Sequence, residues 1–135
     1  MKKKGWRGYV FSRAINGSMI PQRVQNLVLR TYAEKKKILY LLSATEYHMP
    51  GSFMMLESQY PDLKGLEGLL FYSLNMLPED KARRRRFFDA LLKTRCGVRF
   101  ALEEIHVFDE KGVAALEDLL ACRRLSAASP TEILS

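Results

Sequence analysis

The chain reads as a single α/β domain of three layers, with a central, mostly parallel sheet of four or five strands between helices. Three observations lead there. Short apolar runs alternate with segments of helical periodicity, in the order β-α-β-α-β-α-β-α over residues 8–125. Ile38 to Ser43 is apolar nearly throughout instead of alternating, as in a strand covered on both faces. A length of 135 residues and a hydrophobic share of 47% fit one domain with a real core. Right-handed crossovers follow for parallel neighbours, and the first strand is expected at the centre of the sheet.

Each element has its own warrant. Gly8 to Ser12 is a short apolar run suited to a buried strand. Pro21 to Lys36 carries Val24, Leu27, Val28 and Tyr32 at helical spacing, with proline in the first turn, where a missing N–H costs nothing. Ile38 to Ser43 is the second strand. Ser52 to Tyr60 is a short helix using Met54, Met55 and Leu56, and Leu69 to Ser73 is the third strand. Glu79 to Arg95 is a helix with Phe87, Phe88, Leu91 and Leu92 as its buried stripe, its first turn holding the acidic residues that the helix dipole favours. Val98 to Leu102, entered through Gly97, is the fourth strand, and Lys111 to Leu125 the last helix. Residues 1–7 read as a basic tail and 126–135 as a flexible one, small, polar and interrupted by Pro130.

The net charge of +7 allows an anionic partner. Ten of the 22 basic residues lie in Lys2–Lys4, Lys35–Lys37 and Arg83–Arg86. These runs lack interleaved aromatics and read as solvated faces, not as a nucleic-acid groove. Cys96 and Cys122 form no CxxC pattern, and His48 and His106 have no metal-ligand spacing, so neither a metal nor a cofactor is expected. No signal peptide is read at the start, and no window reaches the roughly 18 apolar residues of a membrane helix, so a cytoplasmic protein is expected.

In such a fold, ligands sit beyond the carboxyl ends of the strands. The first strand ends in Ser12 and Arg13, followed by the turn Asn16-Gly17-Ser18 and a helix start carrying Gln22, Arg23 and Asn26. The second ends in Ser43, Thr45, Glu46 and Tyr47, the third in Tyr72, Ser73 and Asn75, and the fourth in Glu103 and Glu104. Singly, each has a structural reading as a cap, turn former or solvated charge. Together they make a polar rim. Arg13 and Arg23 are the expected clamp for a phosphate or carboxylate. Asn16 and Gln22 would orient the ligand by neutral hydrogen bonds, Ser18, Asn26, Ser43, Thr45, Ser73 and Asn75 complete the ligand-binding candidates, and Tyr47 and Tyr72 would stack on a ring or donate a proton. Ser12 is the candidate nucleophile, without a visible base. Glu46 or Glu103 is the candidate general acid or base, if its environment raises its pKa.

Two family resemblances follow from these residues. Gly8-Tyr9, Gln25-Asn26-Leu27, Leu69 to Leu74 and Arg99-Phe100-Ala101 resemble the catalytic domain of serine recombinases (resolvases) over most of residues 8–125. The resemblance implies a resolvase-like, flavodoxin-like sheet order. That family begins with Gly-Tyr-x-Arg-x-Ser, whereas here the run is Gly8-Tyr9-Val10-Phe11-Ser12-Arg13, with Phe11 at the arginine position and Ser12 one residue early. Its Asp-Arg-Leu-x-Arg motif reads Asn75-Met76-Leu77-Pro78-Glu79, without either arginine. Strand cleavage needs that cationic cluster around the scissile phosphate, so recombination is not expected and DNA is set aside as a partner, except for an inactive, recombinase-derived DNA binder.

Longer runs resemble the small "sporadic carbohydrate cluster" proteins of bacterial surface-polysaccharide gene clusters: Gly8 to Arg13, Asn16 to Asn26, Leu42 to Tyr47, Met49-Pro50-Gly51 and Phe71 to Pro78. That resemblance implies a protein of carbohydrate (polysaccharide or O-antigen) biosynthesis. It would bind, and in one version modify, an anionic sugar derivative such as a nucleotide sugar or phosphosugar. The alternative is a non-enzymatic partner of another carbohydrate-biosynthesis enzyme. A homodimer is also expected, since small single-sheet domains often bury a helix face by pairing.

Overall fold

The structure, a computed structural model, describes residues 3–134. Five strands form one sheet: β1 (Trp6–Phe11), β2 (Tyr40–Glu46), β3 (Gly68–Phe71), β4 (Gly97–Phe100) and β5 (Ile105–Val107), in the order β2-β1-β3-β4-β5. β1 pairs in parallel with β2 and β3, and β3 with β4, while β5 runs antiparallel to β4. The helices are α1 (Gln22–Lys36), α2 (Met54–Ser58), α3 (Lys81–Lys93) and α4 (Glu110–Leu134), with 3-10 turns at Tyr60–Gly65 and Leu74–Met76.

The α/β architecture is the one the sequence predicts, with differences of detail. β1 is interior, but β3 holds the middle position expected of it. β5 is too short to show a period; it follows a turn in which Glu104 takes a left-handed φ of 55°. β1 begins at Trp6, inside the segment read as a basic tail, and α4 continues through Leu134, across most of the segment read as a flexible one. Met1, Lys2 and Ser135 lie outside the described residues.

α1 starts after Pro21 and stops at Lys37, which adopts a left-handed conformation (φ 58°, ψ 42°) and turns its N–H back onto the last turn of the helix. α3 is capped by Asp80, whose carboxylate accepts from the Arg83 N–H at 2.9 Å. The core on the α3 side is aromatic: the Phe71 ring lies 5.6 Å from Phe87 and 5.3 Å from Phe100, all fully buried. On the opposite face Trp6 lies across β3 and β4. A Cβ on Gly68 would sit 2.5 Å from the Trp6 ring and 2.1 Å from the Gly97 carbonyl oxygen, so this crossing requires glycine.

One buried polar residue sets the end of β1. The Gln25 carboxamide accepts from the Phe11 N–H at 2.9 Å and donates to the Phe11 carbonyl at 2.9 Å and the Ile20 carbonyl at 2.8 Å. It satisfies main-chain groups where β1 leaves the sheet, and so fixes the direction in which Ser12 and Arg13 emerge. Among the described residues, no helix is long and apolar enough to cross a membrane.

Candidate functional site

Beyond β1 the chain turns under the end of β2. The Ser12 hydroxyl donates to the Glu46 carbonyl at 2.6 Å. Arg13 stands where the recombinase pattern has its serine, and it is 9% exposed. Its Nη1 donates to the carbonyls of Tyr47 at 3.0 Å and Met49 at 3.3 Å. The guanidinium carbon lies 4.0 Å from the centre of the Phe11 ring and 5.1 Å from that of Phe53. Its Nε and Nη2 have no protein partner among the described residues, and the residue lines a cavity.

That cavity measures about 400 Å³ and opens beside a second of about 440 Å³. Both are lined by Asn16, Asn75, Leu77, Pro78 and Glu79, so the two form one trough along the carboxyl ends of the strands. Arg13 and Arg83 stand at one end, Arg123 and Arg124 of α4 at the other. Arg83 is held by Glu57, with Nε to Oε2 at 2.9 Å, and its guanidinium carbon lies 5.5 Å from the Phe53 ring. Phe53 is thus flanked by two cations. Asn16 takes a left-handed φ of 50° in a turn closed by the two hydrogen bonds between Ile15 and Ser18.

The predicted rim residues divide into three groups. Arg13, Asn16 and Asn75 line the trough. A second group is engaged within the fold. Asn26 accepts from the hydroxyls of Tyr40 at 2.9 Å and Ser43 at 2.8 Å, tying α1 to β2. Ser73 donates to Glu103 at 2.8 Å and accepts from the Asn75 N–H, while Glu103 also accepts from the Leu74 N–H at 3.0 Å. Tyr72 is buried. The third group, Ser18, Gln22, Arg23 and Tyr47, is exposed and outside both cavity linings, and half-buried Thr45 lies outside them as well.

Glu46 has a role that the sequence did not suggest. Oε1 accepts from the Tyr9 hydroxyl at 2.7 Å and the Leu56 N–H at 3.1 Å; Oε2 accepts from the N–H groups of Tyr47 and Met55, each at 3.0 Å, and from Ser52 at 3.3 Å. It caps the first turn of α2 from inside the core. Burial pushes its pKa up, but donation from Met55, Tyr9, Leu56 and Tyr47 outweighs burial and holds the carboxyl below its ordinary value. A general acid or base at neutral pH needs the opposite shift. The Ser12 hydroxyl likewise faces a main-chain carbonyl, and the nearby His48 ring meets the Ser12 carbonyl at 3.1 Å, not its hydroxyl.

Several lining residues escaped sequence reasoning. Arg83 was read with Arg84, Arg85 and Arg86 as one solvated face. In the structure, Arg84 is buried against Glu117 at 2.6 Å and Arg85 pairs with Asp89 and Glu110. Only the helical phase, which turns each successive side chain by about 100°, could have separated them. Arg123 and Arg124 carried no motif, and Phe53 carried no polar signal. Among the described residues, no group of His, Cys, Asp and Glu is placed to hold a metal ion.

Comparison with known proteins bears on the fold. No family model matches the chain, and no curated protein matches it. Among solved structures, it is similar to the N-terminal catalytic domain of TP901-1 integrase, at 18% identity and a TM-score of 0.61, covering 90% of this chain and 96% of that one. It is also similar to a resolvase family site-specific recombinase from Streptococcus pneumoniae, at 12% identity and a TM-score of 0.63, covering 94% and 93% of the two chains.

These likenesses show a resolvase-like fold, as the first resemblance implies. They overturn the function drawn from the second. The chain's structural neighbours are an integrase catalytic domain and a resolvase family site-specific recombinase, and neither the family models nor the curated proteins connect it with polysaccharide biosynthesis. The expected nucleotide-sugar or phosphosugar ligand and the carbohydrate-enzyme partner fall with it.

Proposed function

We propose that this domain is a recombinase-derived module that binds nucleic acid along the strand-end trough and does not cut it. The observation that carries the proposal is the trough, with Arg13 and Arg83 at one end, Arg123 and Arg124 at the other, and the carboxamides of Asn16 and Asn75 between them. Spaced guanidinium groups joined by neutral hydrogen-bonding side chains suit a chain of phosphodiesters better than a single small anion. The fold of the recombinase domains adds support. DNA, set aside on the sequence, thereby returns as the partner.

The loss of cleavage rests on positions. Phe11, Met76 and Glu79 occupy places where the recombinase motifs have arginines, and Met76 is fully buried. Glu79 puts a carboxylate in the trough, where a cation would stabilise the reacting phosphate. Ser12 donates into the main chain. Binding without chemistry is what remains. Pairing of two copies belongs to the same proposal: Leu27 and Leu102, 62% and 53% exposed, flank an apolar groove between α1 and the β4–β5 turn.

The test is fluorescence anisotropy with a labelled DNA oligonucleotide, as duplex and as single strand, at physiological salt. Saturable binding that Arg123→Ala/Arg124→Ala weakens at unchanged melting temperature is expected. Absence of binding to both forms would overturn the proposal. Sedimentation of the same samples reads the pairing.

A further inference from the structure

We infer that the Arg13 end of the trough is a subsite for one unpaired nucleotide whose base carries an exocyclic amine, cytosine or adenine in preference to thymine. The inference rests on the nucleic-acid reading above and names what that end recognises.

The cavity is lined by side chains of both charges. Its cations are Arg13 and Arg83, gathered around Phe53. Arg13 is more than nine-tenths buried, with Nη1 anchored on two carbonyls and the rest of its fork unpartnered among the described residues. A guanidinium fixed in this way presents its free N–H groups to a phosphate. The cavity's carboxylates are those of Glu79 and Asp80. Asp80 has one oxygen on the Arg83 N–H, whereas the Glu79 carboxylate accepts no hydrogen bond among the described residues.

A phosphate alone satisfies the arginines and is repelled by the carboxylates. A nucleotide satisfies both when its phosphate meets the arginines and its base turns a donor towards Glu79. Cytosine N4 and adenine N6 are such donors, and a carboxylate accepts well from them; thymine offers a carbonyl oxygen at the equivalent place. The amine is engaged in a duplex, so the nucleotide must be unpaired or turned out of the stack. A volume of about 400 Å³ is in the range of pockets that enclose a ligand of this size.

The experiment is competition anisotropy on the full chain with single-stranded oligo-dC, oligo-dA and oligo-dT of equal length. The expected result is binding of oligo-dC and oligo-dA about tenfold tighter than oligo-dT. Glu79→Gln, at an exposed position, should remove that preference chiefly by tightening oligo-dT, because a repelling carboxylate is gone. Equal affinity of the three oligonucleotides for the unmodified protein, or an undiminished preference in Glu79→Gln, overturns this inference and leaves the nucleic-acid reading standing. Failure of all three, and of duplex DNA, to bind overturns both.

Discussion

The phenol of Tyr9 and the carboxylate of Glu46 meet inside the protein at 2.7 Å, the hydroxyl donating to Oε1. Tyr9 projects from β1 and Glu46 ends β2, so the contact locks the two strands at the rim and aims the carboxylate at the N–H groups of α2. Burial, followed by the neighbouring Glu46, pushes the Tyr9 pKa far up and keeps its proton in place. The Glu46 carboxyl is held below its ordinary value near 4.5 by the donors around it.

Acid should therefore weaken the rim. The folded-state pKa of Glu46 is depressed, so its stabilisation is complete above the ordinary carboxylate value and is lost as pH falls through the lower, folded one. Glu46→Gln should cost about 2 kcal/mol at neutral pH, since an amide cannot accept all the donors aimed at it. The gap between variant and unmodified protein should shrink as pH drops below 4.5. Thermal melts across that range read it, and a gap independent of pH would refute the assignment.

Gln25 is expected to be as important as a large core residue. Gln25→Leu strands the N–H and carbonyl of Phe11 and the carbonyl of Ile20 without their present partners. The cost should be about 3 kcal/mol in urea unfolding. A loss under about 0.5 kcal/mol, the range of ordinary surface changes, would mean that water replaces the carboxamide.

The arginine run of α3 should behave as individual residues. Arg84→Ala leaves Glu117 without its buried partner and should destabilise by about 3 kcal/mol. Arg86→Ala, at an exposed position, should be neutral to within about 0.5 kcal/mol. Equal effects would restore the reading of the run as one solvated face.

No strand cleavage is expected. Supercoiled plasmid incubated with the protein should remain supercoiled, and no covalent protein–DNA adduct should appear on a denaturing gel. An adduct that Ser12→Ala abolishes would show that the Ser12 hydroxyl leaves the Glu46 carbonyl to attack phosphate.

The fold was legible because periodicity and turn chemistry agreed along the chain. Pro21 marked the start of α1, and the apolar runs marked the four parallel strands. β5, three residues long, lies below the length at which alternation can be recognised. The rim was legible as a place but less so in its members. Polar residues at strand ends look alike whether they face a ligand or the fold. Asn26, Ser43, Glu46, Ser73 and Glu103 turned out to bond one another or main-chain groups, whereas Arg13, Asn16 and Asn75 reach the trough. Arg83, Arg123 and Arg124 reach it from helices far along the chain, and no local pattern encodes that convergence.

The most direct test of the central claim is the salt dependence of duplex binding. Each phosphate neutralised adds about 0.9 to the slope of log K against log salt concentration. The account predicts that Arg123→Ala/Arg124→Ala, still folded, lowers the slope by about 2, and that adding Arg83→Ala lowers it further. A slope unchanged in the folded triple variant would place the phosphate contacts elsewhere and contradict binding along the trough.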